Sequence, residues 1–412
     1  MVKFLSVSLV KISYSLPKYL TFGVILFTIA FTVSFAHEEP SVTFLIIWPT
    51  ARSAALGGAM TGLADDADAA FWNPGGLGFQ KGWNFTGTFN KYLPGLAPEW
   101  VNWYYLYGSV GYSFPKLLRN KMILNIGINN TYLSTNKIEI INERGDYIGE
   151  YTEYADAFGI HSGIQLSDKI GLGLGVKHID SHLVPDGYWL FEYDIPGIDY
   201  SGTGSSFAVD IGVLYKPFHS FSAGLALANM GPNIAFSSPW HGFSAPLPRI
   251  LRIGLCFTPV NNKYIKLRIL PEINKMLVGM FYDPKDTLSF GQELSYEWKE
   301  AWKSFGFEAT IIKILSLRLG YFEALMDTIG GVRVIKDDHK EYLSLFEYIF
   351  SRDRGHFDKI GLTFGIGLNF KDYLRFDLSS DHPIWNFPTS NLKFSLTSHD
   401  PIGLARKIYQ IF

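Results

Sequence analysis

The chain has 412 residues, of which 47% are hydrophobic, 18% are charged and 16% are aromatic, with 40 glycines. A composition this apolar excludes a disordered chain, and a formal net charge of −2 removes the basic face that nucleic-acid binding requires. The single cysteine, Cys256, excludes an internal disulfide and a cysteine-based zinc site.

The first 36 residues have the pattern of a secretory signal peptide. An uncharged apolar run from 19 to 35 follows three lysines, and Ser34-Phe35-Ala36 forms a small-x-small cleavage site. Cleavage near Ala36 would take the formal charge from −2 to −5. The alternative is an uncleaved anchor, because the run is near the minimum length for a membrane span.

Residues 37–82 do not alternate and are rich in small side chains between Pro49 and Leu77. This segment is too polar for lipid, so we predict a short packed plug, with Asn73-Pro74-Gly75 as a turn. Its three aspartates, Asp65, Asp66 and Asp68, could bind a divalent cation. We favour helix capping and solvation for them and predict no metal site.

Residues 83–398 show repeated period-two alternation, which is the signature of β-strands. In 361–370 the positions alternate between Leu, Phe or Ile and Gly, Thr or Asn, and 122–129 behaves in the same way. A soluble sandwich and a transmembrane barrel both give this pattern. The polar face of small residues and paired charges, such as Arg375 with Asp377, favours the barrel.

Fourteen strands can be placed, and short and long connections alternate between them, as an outer-membrane barrel requires. We therefore predict an all-β fold, a transmembrane antiparallel β-barrel of about 14 strands with a small N-terminal hatch. The short turns would face the periplasm, and residues 399–412 would form a periplasmic C-terminal tail. The predicted strands are about 83–90, 101–114, 121–133, 152–167, 170–184, 205–217, 221–236, 247–260, 263–274, 304–313, 315–323, 359–370, 372–380 and 391–398.

The run from Arg52 to Leu77 resembles the hatch of the PorV/PorQ group within the FadL-like outer-membrane proteins. The matching pieces are an Arg-Ser-x-x-Leu-Gly-Gly-Ala opening, an Asp-rich middle and a Trp-Asn-Pro-Gly-Gly-Leu close. Segments 207–210, 224–232, 246–254 and 317–322 resemble the same group. The resemblance places a structural motif or ligand gate at Arg52, Gly57, Gly58, Asp65, Asp66, Trp72, Asn73 and Pro74.

The resemblance implies a non-enzymatic outer-membrane protein without a cofactor, in contact with membrane lipid. One implied function is type IX secretion, with secreted cargo proteins or secretion-system components as partners. The alternative is FadL-like transport of hydrophobic, fatty-acid-like small molecules. The C-terminal tail and the long loops 275–303 and 324–358 depart from the group's pattern, so cargo or ligand specificity does not carry over.

Two aromatic groups are candidate surfaces. For Tyr188, Trp189, Phe191 and Tyr193, in a long outer loop, a cargo or ligand surface and an interfacial girdle are both open interpretations. For the second group we predict a girdle. Its members are Trp100, Trp103, Tyr104, Tyr105 and Tyr107.

Two further sets of charged and polar residues lie on the predicted strands. His178, Asp180 and His182 share one strand face, but no serine elbow accompanies them, so we favour polar rim residues over a hydrolase site. Lumen charges of both signs are expected to form an internal ion-pair network rather than a solute filter. They are Arg252, Lys266, Arg268, Glu272, Glu308, Arg318, Arg375, Asp377 and Lys393.

Overall fold

The computed structural model describes residues 40–94, 102–116, 122–141, 144–183, 202–236, 243–281, 289–323, 360–370, 373–381 and 391–401. The predicted signal peptide, the aromatic loop from Tyr188 to Tyr193 and most of the predicted C-terminal tail lie outside these residues.

Eighteen strands are present in the described residues. They are β1 (Gly82–Tyr92), β2 (Trp103–Lys116), β3 (Met122–Thr135), β4 (Ile138–Ile141), β5 (Tyr147–Tyr151), β6 (Tyr154–Ser167), β7 (Ile170–His182), β8 (Thr203–Phe218), β9 (Phe221–Met230), β10 (Ile234–Phe236), β11 (Phe243–Ala245), β12 (Ile250–Asn261), β13 (Ile265–Met276), β14 (Trp302–Ile311), β15 (Leu315–Glu323), β16 (Ile360–Phe370), β17 (Leu374–Asp381) and β18 (Asn391–His399).

Fourteen of these strands form a closed antiparallel barrel, which confirms the predicted fold. Each barrel strand pairs with the next one along the chain, and the first strand, β1, pairs with the last, β18. The remaining four strands form two hairpins at the end of the barrel opposite the short turns, β4 with β5 and β10 with β11. β10 extends the wall by pairing with the N-terminal end of β8.

The alternating residues of each barrel strand separate into a lumen face and an outer face. In β16, Leu362, Phe364 and Ile366 point outward and are 50%, 54% and 47% exposed, whereas Thr363 between them is fully buried. The same outward apolar rows occur on β3, β12 and β15. Exposure of a continuous apolar band of this size to water is unfavourable, so the band has to be covered by lipid.

One strand prediction needs correction. Residues 221–236 were expected to be a single strand, but β9 ends at Met230 and the chain resumes as β10 at Ile234. The interruption begins at Asn229, which adopts a left-handed backbone conformation with φ of 61°. The pairing of β8 with β9 shifts register at the same place, so a β-bulge redirects the chain.

The lumen is occupied by the residues before β1, as the predicted plug requires. This hatch, residues 40–81, contains 3₁₀ helices at Thr43–Ile46 and Pro74–Phe79 and two short α-helices, α1 (Ala51–Ala55) and α2 (Ala69–Trp72). A third helix, α3 (Phe290–Glu300), lies between β13 and β14. Among the described residues, no helix is long and apolar enough to cross a membrane.

Candidate functional site

The hatch holds its own shape through short-range hydrogen bonds. Thr50 caps α1, where its hydroxyl accepts from the Ser53 backbone N–H at 3.2 Å and the Ser53 hydroxyl accepts from the Thr50 N–H at 3.1 Å. Asn73 forms the predicted turn, since its Oδ1 accepts from the Gly75 N–H at 3.0 Å and Pro74 begins the following 3₁₀ helix. These residue types at these positions therefore fold the hatch locally.

Arg52 joins the hatch to the barrel wall. Its guanidinium donates to Asp65 at 2.6 Å and to Asp66 at 2.8 Å within the hatch. It also donates to both carboxylate oxygens of Glu308 on β14, at 3.1 and 3.2 Å. Only 2% of the Arg52 side chain is exposed, so these bonds form away from water, where charge-assisted bonds are strong.

Three wall arginines extend this contact into a network. Arg268 bonds Glu308 at 2.6 Å and Asp65 at 3.0 Å, and Arg318 bonds Glu308 at 2.7 Å. Arg375 bonds Asp66 at 2.5 Å. Asp377 then completes the network by accepting from both Arg318 and Arg375.

The network is balanced in charge. Four guanidinium groups face four carboxylates among the described residues, so a mostly buried cluster carries no net charge. Balance matters because an uncompensated ion in such a place costs several kcal/mol. The members are Arg52, Arg268, Arg318 and Arg375 with Asp65, Asp66, Glu308 and Asp377. Five of the nine predicted lumen charges therefore form an internal ion-pair network that includes the hatch, whereas Arg252, Lys266, Glu272 and Lys393 lie outside it.

Two of the three hatch aspartates do not have the expected roles, whereas Asp65 is 27% exposed. Capping and solvation were favoured for them, but Asp66 and Asp68 are each 1% exposed, and Asp68 makes no capping bond at the start of α2. Burial alone would raise the pKa of Asp66, yet Arg375 and Arg52 hold that pKa well below its ordinary value. Burial and then the neighbouring Asp66 raise the pKa of Asp68 well above its ordinary value. Asp68 instead accepts from the Thr50 hydroxyl at 2.8 Å.

Further hydrogen bonds attach the hatch to strands around the barrel. Asn73 donates to the Val213 carbonyl of β8 at 2.9 Å. Thr61 donates to Glu272 of β13 through its backbone N–H at 2.7 Å and its hydroxyl at 2.9 Å. Lys393 of β18 donates to the Trp48 carbonyl at 2.7 Å. The hatch is thus fixed on several sides rather than at one edge.

Trp72, another residue of the hatch motif, is 2% exposed and faces Arg252 of β12. The Arg252 guanidinium lies 4.9 Å from the Trp72 ring and 5.0 Å from the Phe71 ring, within cation–π range. It also donates to the Phe71 carbonyl at 2.7 Å. Arg252 is therefore a docking residue for α2.

The glycines of the lumen face are explained by the hatch. A Cβ atom added at Gly173 of β7 would lie 2.0 Å from the Pro74 carbonyl carbon, so only glycine lets the hatch backbone reach that strand. At Gly57, whose φ is 63°, an added Cβ would lie 2.6 Å from the Tyr321 carbonyl oxygen of β15. At Gly58 it would overlap the Trp48 indole. The Gly-Gly pair of the hatch motif therefore serves close packing.

Two neighbouring cavities, of ≈ 380 and ≈ 410 Å³, open at the end of the barrel that carries the short turns. Both are lined by Asp65, Lys266 and Arg268, and the second also by Lys216 and Cys256. The first is lined mainly by charged and polar side chains, unlike the apolar pocket between hatch and barrel that a carrier of hydrophobic molecules would favour. The second also has an apolar part, formed by Leu63, Phe218 and Phe221. Cys256 is a buried free thiol facing the lumen, as its position in the alternation predicts.

The other candidate residues do not assemble a second site. His178 Nδ1 lies 3.0 Å from Asp180 Oδ2 on the outer face of β7, and His182 stacks on Tyr154 with ring centroids 5.0 Å apart. No group of three metal-ligating side chains is found in the described part of the chain. The polar rim interpretation fits this geometry.

The girdle prediction is wrong for Tyr105 and Tyr107. Both point into the lumen, at 0% and 3% exposure, and contact the hatch. The Tyr105 hydroxyl donates to the Ile47 carbonyl at 3.4 Å, and the Tyr107 ring meets Phe71 at 6.1 Å. Aromatic residues on both faces of β2 hide the alternation that would have separated them. Trp100 lies outside the described residues.

Sequence reasoning missed the role of Asn229. Its backbone N–H donates to Asp210 at 2.7 Å, its Nδ2 donates to the Pro248 carbonyl at 2.8 Å, and its Oδ1 accepts from Lys177 at 2.7 Å. Asparagine tolerates the left-handed backbone conformation, so one residue both makes and holds the bulge. The sequence signal that could have indicated the bulge is an Asn followed closely by Gly and Pro within a strand pattern.

The fold and the hatch together define a class: a transmembrane β-barrel whose lumen is filled by its own N-terminal segment. The family model described as "Type IX secretion system protein PorV" matches residues 38–283, more than half of the chain. The chain belongs to this family, which places it among β-barrels of the outer membrane. No curated protein matches the chain in a sequence search.

Several solved structures with some similarity are hydrocarbon transporters or a FadL homologue. The Pseudomonas putida toluene transporter TodX has a TM-score of 0.46 and 13% identity, covering 84% of this chain and 97% of its own. The Ralstonia pickettii toluene transporter TbuX gives 0.44 and 12%, with 84% and 97% covered. A Pseudomonas aeruginosa FadL homologue gives 0.42 and 12%, with 89% and 99% covered. At these low values the similarities assign no substrate to the present chain.

Proposed function

We propose that this protein is a non-enzymatic component of type IX secretion that binds secreted protein cargo on its outward face. Membership of the PorV family supports the secretion role. The observation that carries the rest of the proposal is the fixed hatch. Because the hatch fills the lumen and is bonded to the wall, it favours a function outside the lumen.

Moving the hatch would separate buried opposite charges. Glu308 would lose Arg52 and keep Arg268 and Arg318, whereas Arg375 would lose Asp66 and keep Asp377. The wall would be left with three arginines and two carboxylates, and one uncompensated buried charge of this kind costs about 3–5 kcal/mol. Passage of a substrate through the lumen is therefore costly, which favours a function at the outer surface over FadL-like transport.

The outer end of the barrel offers structure on which a partner can bind. The β4–β5 hairpin stands beyond β3 and β6, and Tyr147 at the start of β5 is 62% exposed. The β10–β11 hairpin extends the wall above β8. Exposed aromatic side chains on such elements are common anchors of protein interfaces. The loop with Tyr188, Trp189, Phe191 and Tyr193 remains a proposed part of this surface.

Two tyrosines of equal exposure at opposite ends of the barrel allow a matched test. Tyr147 is on the outer side and Tyr264, which is 63% exposed, is in the turn after β12 on the periplasmic side. Each is replaced with the photo-crosslinking residue benzoylphenylalanine in the native host, and adducts are identified by mass spectrometry. We expect a secreted protein at position 147 and not at position 264.

Adducts restricted to position 264, or none at position 147, would contradict cargo binding at the outer face. Hydrophobic small molecules that co-purify with the barrel, in the absence of any protein partner, would instead support the transport alternative.

A further inference from the structure

Helix α3 carries an exposed apolar stripe. Phe290, Leu294 and Trp298 are spaced four residues apart, which places them on one side of the helix. They are 70%, 52% and 61% exposed. The helix is well started, since Gln292 Oε1 accepts from the Ser289 N–H at 2.9 Å. Three large exposed apolar side chains on one side of an ordered helix indicate a surface that binds a partner or lipid.

The helix lies on the outside of the barrel wall, as Lys275 shows. In β13, Glu272 and Asn274 face the lumen, so Lys275 faces outward, opposite Leu251 of β12. Its ammonium group pairs with Glu297 of α3. The Glu297 carboxylate also accepts from the Phe281 N–H at 2.7 Å. Glu297 is 5% exposed in this pair, so α3 is fastened over the outer end of β13 on its lipid side.

The direction of the stripe follows from helix geometry. With about 100° per residue, Leu294 lies roughly 60° around the helix from Glu297, the residue that faces the wall. The stripe therefore points alongside the barrel rather than away from it. Ser295, which is exposed, lies on the opposite side from the wall contact.

We propose that α3 lies in the plane of the membrane surface, with Phe290, Leu294 and Trp298 seated in the lipid of the outer leaflet. Three observations select lipid as the occupant. The stripe continues the outward apolar band of the neighbouring strands, where Ile253 and Phe305 are 48% and 45% exposed. The helix is placed near the outer end of the wall, where a tryptophan is favourable at the interface. Its apolar and polar sides are separated, as in helices that lie in membrane interfaces.

The proposal goes beyond the proposed function, because it concerns the lipid-facing side of the barrel and not the cargo surface. It assigns part of the long loop between β13 and β14 to membrane contact. That loop would then be held against the lipid surface and be unable to fold over the barrel mouth.

Nitroxide accessibility tests this placement. Leu294→Cys and the matched control Ser295→Cys are spin-labelled in the full chain in phosphatidylcholine vesicles, with Leu319→Cys on β15 as a lipid-facing reference. Unsubstituted protein gives the background, because the native Cys256 is buried. Collisions with oxygen report lipid, and collisions with a water-soluble nickel chelate report water.

We expect position 294 to resemble position 319, with oxygen collisions at least twofold above nickel collisions, and position 295 to show the reverse. High nickel collisions at position 294 would overturn the proposal by placing the stripe in water. Loss of collisions with both reagents at 294, when the labelled protein is measured in native outer membranes, would overturn it in favour of a protein partner. Neither outcome would affect the crosslinking test of cargo binding.

Discussion

Glu308→Gln is the most informative single change, because Glu308 binds three arginines at once. The carboxylate receives four hydrogen bonds, from Arg52, Arg268 and Arg318, at 2.6 to 3.2 Å. Glutamine keeps the shape but replaces one acceptor oxygen with a donor and removes the negative charge. Four buried arginines would then face three carboxylates. Leaving one buried charge uncompensated costs about 3–5 kcal/mol, and we expect this loss in the free energy of unfolding.

The assay is urea unfolding of the barrel in lipid vesicles, followed by tryptophan fluorescence. The control is Glu150→Gln, since Glu150 pairs with Lys137 at the exposed β4–β5 hairpin and its loss should leave the unfolding curve unchanged. A double variant, Glu308→Gln with Arg268→Gln, restores the charge balance and should recover part of the lost stability. If Glu308→Gln unfolds at the same urea concentration as the parent chain, the network does not hold the hatch and the reasoning is refuted.

The remaining predictions concern the hatch itself. Gly173→Ala should displace the hatch and make it accessible to protease, whereas Gly108→Ala, where an added Cβ meets nothing within 4 Å, should leave protease resistance unchanged. Asp68→Asn should keep or raise the free energy of unfolding at neutral pH, because the raised pKa of Asp68 makes the parent chain lose stability as pH rises above the ordinary aspartate range. Asp66→Asn should lower it, because the depressed pKa of Asp66 contributes stability at neutral pH that is lost only as pH falls. Unfolding curves of the parent chain and both variants between pH 2 and pH 8 check these signs, and equal effects of the two substitutions would contradict them.

The barrel was predictable because its signal is periodic and repeated. Each strand alternates between lipid and lumen, so Leu362 and its neighbours indicate a strand without knowledge of the rest of the chain. The alternation of short and long connections then gave an even strand number. The observed barrel strands begin and end within about three residues of the predicted ones, apart from the interruption after Met230.

What could not be predicted depends on contacts between distant segments. Asp66 has the sequence context of a capping residue, and only the arrival of Arg375, 309 positions later, makes it a buried ion-pair partner. Tyr105 and Tyr107 look like a membrane girdle until the hatch is placed beside them. Alternation likewise places Gly173 on the lumen face, but it does not show that the hatch backbone needs a glycine there. Local sequence patterns predict a strand and its two faces. They do not predict which segment of the chain will pack inside the barrel.

The attachment of the hatch to β18 has a consequence for the order of assembly. The Ala51 N–H donates to Ser395 at 2.6 Å, and Lys393 donates to the Trp48 carbonyl. Part of the surface on which the hatch docks therefore belongs to β18, the last strand of the barrel. The same strand closes the barrel against β1. The hatch can therefore make all of its wall contacts only after β18 has folded into the barrel. Barrel closure and complete docking of the hatch then occur in the same step. A chain truncated before β18 would be left with both an open seam and an unanchored plug.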